Sequence, residues 1–208
     1  MRVPLMLPLE PPNRYDASSG WMEAVKLQRH GQARPLTQQE YQALLKHLTQ
    51  KRYKVLLKLL TVTGFRISEA LSIRTTDLHD GGVLVRKSNT KGSQRTREIP
   101  LPPELIKELR DLAGNAEYVF QSNLKAEAPL TRQAVDYVFR NACKELGIEG
   151  WSLHGTRRFF ITELAHKNVP ISIIQHACGH SSLRSTQSYI EVEEHHIKNA
   201  VSLLWSAV

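Results

Sequence analysis

Cysteine is scarce and long apolar runs are missing. The two cysteines, Cys143 and Cys178, make no disulfide framework and fit a reducing compartment. The longest apolar stretch, YKVLLKLLTVTGF, carries Lys58 in its middle, so no membrane-spanning helix is expected. Prolines and Glu10 break up the opening MRVPLMLPLEPP before a signal-peptide core can form. These absences give the expectation of a cytoplasmic protein with no membrane partner. Acidic residues are also in short supply: 20 Asp and Glu face 28 Lys and Arg, a formal net charge of +8. A positive field of this kind attracts polyanions, although many basic proteins bind none.

What is present fits one good-sized domain with a short appendage. Residues 1–33 hold several prolines and little helical periodicity, which predicts an arm or linker with one short helix around Trp21 to Gln28. The compact domain is expected over residues 34–208. It opens at RPLTQQEYQALLKHL, where Thr37 and Glu40 form a capping-box pattern ahead of leucines at helical spacing. YKVLLKLLTVT reads as a second helix ending at Gly64, and RISEALSI as a third. The period then changes. GGVLVRKS and TREIPL predict a small antiparallel sheet flanking the polar turn NTKGSQR, with EYVF as a further brief strand. PPELIKELRDLA returns to helix, and LTRQAVDYVFRNACKELG is amphipathic, with Thr131 as N-cap and Gly147 as stop. From His154 onward three or four helices are expected. The fold class is mainly α with a small antiparallel β-sheet (α+β).

Four local patterns carry the chemistry, and each has an ordinary reading as well. In TGFRISEAL, Arg66 and Glu69 lie three apart, as an intrahelical ion pair would. Lys91 at the tip of a polar turn suits a solvated lysine. In LHGTRRFF, His154 and Arg157 share a face, and three groups that are or can become positive crowd into five residues. Either this is a solvated basic face or an anion sits among them. In CGHSSLRSTQSYI, His180 follows Gly179 and Tyr189 lies nine residues on. A zinc site on His176, Cys178 and His180 lacks a further ligand pair at convincing spacing.

The four patterns in this order resemble the catalytic domain of the tyrosine recombinases, the phage-integrase family, over roughly residues 34 to 195. The resemblance implies Arg66 and Arg157 as catalytic arginines and Glu69 as the supporting acid. It further implies Lys91 as the turn lysine, His154 and His180 as catalytic histidines, and Tyr189 as the nucleophile. Thr156, Arg158, Cys178 and Glu191 depart from the common boxes, and 33 residues are too few for the usual N-terminal DNA-clamping domain. A short-form recombinase is therefore expected. The implied activity is cleavage and rejoining of double-stranded DNA through a 3′-phosphotyrosine, with no metal and no cofactor. Other copies of the chain would be partners in a tetramer on paired sites, the C-terminal helix either docking on a neighbour or packing on its own domain. A silent DNA-binding relative and a type IB topoisomerase are the alternatives. Lys87, Arg95, Arg97, Arg132, Arg140, Arg158 and Arg184 are the candidate DNA-backbone contacts, with a structural role the alternative for Arg158 and plain solvation for the others, and Arg157→Ala is expected to lose cleavage with little loss of fold.

Overall fold

The computed structural model describes residues 33–86, 96–123 and 127–179. The chain divides into two compact units, Met1–Ala33 and Arg34–Val208, and the elements that follow belong to the second. The helix expected near Trp21 and everything after Gly179 lie outside the described residues.

Helix α1 (Gln38–His47) begins where the capping box placed it. The Glu40 N–H donates to Thr37 Oγ1 (3.1 Å) and the Thr37 N–H to Glu40 Oε2 (2.8 Å). Helix α2 (Lys51–Thr63) is the centre of the core, with Leu56, Leu57, Leu59 and Leu60 fully buried. Its buried hydroxyls are satisfied by the preceding turn, Thr61 Oγ1 donating to the Leu57 carbonyl at 2.9 Å and Thr63 Oγ1 to that of Leu59 at 2.6 Å. Lys58, the cation inside this apolar run, reaches across to Glu108 (2.6 Å) on a neighbouring helix. Gly64 then ends α2 in the left-handed region (φ 64°).

The third predicted helix is a single turn, α3 (Ile67–Leu71), with Arg66 at its N-cap. A three-stranded antiparallel sheet follows: β1 (Leu78–His79), β2 (Gly82–Val85) and β3 (Arg97–Pro100), in the order β1-β2-β3. Its register pairs Leu78 with Val83, Val83 with Ile99 and Val85 with Arg97. The two-residue β1 exists through its pairing with β2, so no local pattern announces it. The brief strand expected at EYVF is reduced to one bridge, Arg74 with Tyr118. Helices α4 (Pro103–Ala113) and α5 (Arg132–Glu145) fall where expected, and Thr131 caps α5 by accepting the Ala134 N–H (3.2 Å).

Helix α6 (Leu153–His166) starts from Ser152 and packs along α2, and α7 (Ile171–Cys178) packs on α6. Phe160, Ile161, Ile174 and Cys178 form a second, smaller core between α6 and α7. Burial pushes the Cys143 thiol up to about 11 and raises that of Cys178, so both behave as inert core residues at neutral pH. Among the described residues no helix is long and apolar enough to cross a membrane.

Candidate active site

Glu69 anchors the site. Its side chain is fully buried, and a carboxylate removed from water must be hydrogen-bonded on every side. It accepts the Arg66 backbone N–H at Oε2 (2.9 Å), Arg66 Nη1 at Oε1 (3.0 Å) and Arg97 Nη2 at Oε2 (3.2 Å). Arg66 is thus held by the turn that starts α3 rather than along a helix face. The Arg66 side chain remains one-third exposed (34%) while its partner carboxylate is sealed.

Arg157 comes from the first turns of α6 and is 1% exposed, the largest fully buried side chain described. Nη1 donates to the Gly64 carbonyl (2.7 Å) and Nη2 to the Cys178 carbonyl (2.9 Å). Both acceptors are at helix ends, where terminal carbonyls lack intrahelical partners. One guanidinium therefore ties together the C-termini of α2 and α7. Burial weakens its hold on the proton, and Arg66 and Arg97 weaken it further while Glu69 opposes them. A guanidinium keeps its charge regardless. Two guanidinium groups bond the single carboxylate and a third, that of Arg157, is near enough to interact with it electrostatically, which leaves positive charge in excess.

His154 lies one turn before Arg157 on α6, exposed at the residue level, with its backbone N–H on Ser152 Oγ (3.3 Å). Desolvation of the ring pushes its pKa below the ordinary 6.5, and Arg157, Arg158, Arg66 and Arg132 push it the same way. The free protein therefore holds His154 neutral at pH 7. As pH falls below about 6.5 the unfolded chain takes up a proton that the fold resists, so this group's contribution to stability is lost in acid. A bound phosphate would offset the surrounding arginines and raise the pKa. Binding of a phosphodiester is then expected to take up a proton and to tighten as pH drops from 8 toward 6. His154→Gln should flatten that profile; duplex affinity measured at fixed ionic strength checks it.

The other candidates separate into three groups. Arg132 and Arg140 are exposed on α5, and Arg132 is close enough to influence His154. Arg140 is paired with Asp136 (2.6 Å), which offsets its charge. Arg97 and Arg158 correct the sequence reading. Arg97 is expected on the DNA backbone and Arg158 either there or in a structural role, yet Arg158 is 7% exposed within α6 and the Arg97 side chain 10% exposed beneath the site. Over residues 155–161 α6 is buried all the way round, which encloses Arg157 and Arg158 with Phe159 and Phe160, and β3 turns Arg97 inward onto Glu69. Lys87, Lys91, Arg95, His180, Arg184 and Tyr189 lie outside the described residues. Sequence reasoning missed the Gly64 and Cys178 carbonyls, which no side-chain motif reports. It also missed Phe65, whose ring lies under Arg97 at 5.7 Å.

A mainly helical domain with this small sheet, gathering its arginines around one sealed carboxylate, has the fold of the tyrosine recombinase catalytic domain. A XerA recombinase structure matches with a TM-score of 0.68 at 21% identity, covering 83% of this chain and 64% of that one. A lambda integrase tetramer bound to a Holliday junction matches with a TM-score of 0.62 at 23% identity, covering 76% and 48%. The chain belongs to the phage integrase family, whose model matches residues 34–196. Tyrosine recombinase XerA from Pyrococcus furiosus is 32% identical over 145 residues, 67% of this chain and 50% of that protein. A tyrosine recombinase from Thermosipho africanus is 32% identical over 148 residues, 68% and 50%. The chain spans about half the length of these curated relatives.

Proposed function

We propose that this chain is the catalytic domain of a site-specific DNA recombinase, which cuts and rejoins duplex DNA through a covalent 3′-phosphotyrosine. The observation that carries the reading is the buried Glu69 carboxylate bonded by Arg66 and Arg97, with the Arg157 guanidinium close enough to interact electrostatically with all three. Excess positive charge in so dry a setting calls for an anion, and planar guanidiniums match the paired oxygens of a phosphodiester.

Arg66 and Arg157 donate to the non-bridging oxygens and stabilise the charge that builds on the five-coordinate phosphorus. The Tyr189 phenol, with an ordinary pKa near ~10, loses its proton as it attacks, with neutral His154 as acceptor. A bond forms between phosphorus and the phenolic oxygen while the bond to the 5′ oxygen breaks. Lys91 protonates that departing oxygen, and His180 donates a hydrogen bond to the phosphate. One phosphoester replaces another, so rejoining needs neither a nucleotide nor a metal. Arg132 beside His154, together with Lys87, Arg95 and Arg184, holds the duplex by salt-sensitive contacts. Four copies act on paired sites in the cytoplasm, in line with the tetrameric relative.

A nicked duplex, selected from random sequence by binding and designed to lose its cleaved strand end, tests the chemistry. The wild type should yield a covalent protein–DNA band. Tyr189→Phe should bind that duplex with unchanged affinity and yield none. An adduct from Tyr189→Phe would show the nucleophile to be wrong, and none from the wild type would favour a silent DNA-binding protein.

A further inference from the structure

Arg97 is built into this site in an unusual way. Its guanidinium rests on the Phe65 ring at 5.7 Å, donates through Nη2 to Glu69 at 3.2 Å, and touches the backbone turn that ends α7. A Cβ added at Gly179 would come within 2.0 Å of Nη1, in a residue whose φ is already +65°. Nε and Nη1 are buried without a hydrogen-bond partner among the described residues. As a source of stability this is a poor arrangement. Buried donors that meet no partner among the described residues add little stability, and the one firm bond the Arg97 side chain makes is to the sealed Glu69 carboxylate. What the guanidinium does supply is a fixed geometry between three elements: β3, the α3 turn that carries Arg66 and Glu69, and the Gly179 turn.

We propose that Arg97 is a positioning residue for the reaction. Through Glu69 it sets the direction of the Arg66 guanidinium, and through Gly179 it seats the end of α7, whose Cys178 carbonyl in turn holds Arg157. It does so from beneath the site, without lying on the DNA backbone. The inference rests on the recombinase reading above.

Arg97→Met separates this role from the alternatives, because methionine fills the pocket without making the contacts. Cleavage of the nicked duplex at saturating protein should slow about 100-fold, the scale on which misplacement of reacting groups by an ångström acts. The midpoint of thermal unfolding should fall, because the sealed Glu69 loses one donor, with the protein still folded at the assay temperature, while the salt dependence of duplex affinity should keep its wild-type slope. In a Glu69→Gln background the same substitution should cost little more, because both act along one path. Arg97→Lys keeps the charge but lacks the planar fork, so it should recover part of the rate; should the methionine variant fail to fold, a loss of about 10-fold in the lysine variant supports the role. Cleavage within twofold of wild type in whichever variant folds would overturn the proposal. So would a fall of about one in the slope of log affinity against log salt, which marks a surface phosphate contact. A wild type that forms no adduct would instead sink the recombinase reading.

Discussion

Arg157→Ala is expected to slow DNA cleavage by about 100- to 1,000-fold, the range seen when one preorganised donor to a developing charge is removed. The structure adds a second effect that the sequence did not suggest. With its side chain 1% exposed and bound to the Gly64 and Cys178 carbonyls, Arg157 is part of the core as well as part of the site. Alanine leaves both carbonyls without these donors in a dry setting, at about 1–3 kcal/mol each, although the cost of burying the cation disappears too. A net loss of about 2–4 kcal/mol in urea unfolding is expected. The expectation of little loss of fold is thereby corrected, because two helix ends lose their common tie. Arg157→Lys separates the two effects: an ammonium can satisfy one carbonyl and keep the charge, but it cannot present a fork. Stability should largely return while cleavage stays low.

Gly64→Ala should strike the same junction from the backbone side. The residue sits at φ 64°, where a side chain costs about 1–2 kcal/mol. An added Cβ would also come within 2.5 Å of the Phe160 ring, and forced overpacking costs about 1–3 kcal/mol more. Urea unfolding should report a loss of about 2–5 kcal/mol, among the largest for a change of one methyl group. Cleavage should fall as well, because the Gly64 carbonyl that orients Arg157 has to move. Phe160→Leu in the same chain should restore the steric part alone. A Gly64→Ala protein as stable as wild type would mean that neither the strain nor the clash exists.

Much of the fold could be read from short-range rules. Thr37 with Glu40 and Thr131 ahead of α5 each cap the helix they preceded in sequence, since capping is decided within four residues. Arg66 and Glu69 pair for the same reason. Features that depend on distant partners were not legible. Arg97 meets Glu69 across 28 positions, and a basic residue beside a polar turn looks the same whether it faces solvent or a buried carboxylate. Arg157 and Arg158 fit a solvated basic face or an anion site in the sequence, and neither reading foretold that both are buried where α6 packs against α2 and α7, which local periodicity does not encode. The α3 helix stopped after one turn because the chain leaves Leu71 for the short 3-10 segment that leads into the sheet (Thr75–Asp77).

The central claim is that the Arg157 guanidinium acts on the charge of the phosphate being cut. It is tested most directly by changing that charge. In a nicked duplex whose scissile phosphate is a methylphosphonate, one anionic oxygen is replaced by a methyl group and nothing else about the DNA differs. Comparing wild type with Arg157→Ala on both substrates, the penalty of about 100-fold or more on ordinary DNA should shrink to within about tenfold on the neutral one, because the arginine then has no charge to offset. An equal penalty on both substrates would place Arg157 in the scaffold alone and contradict the account.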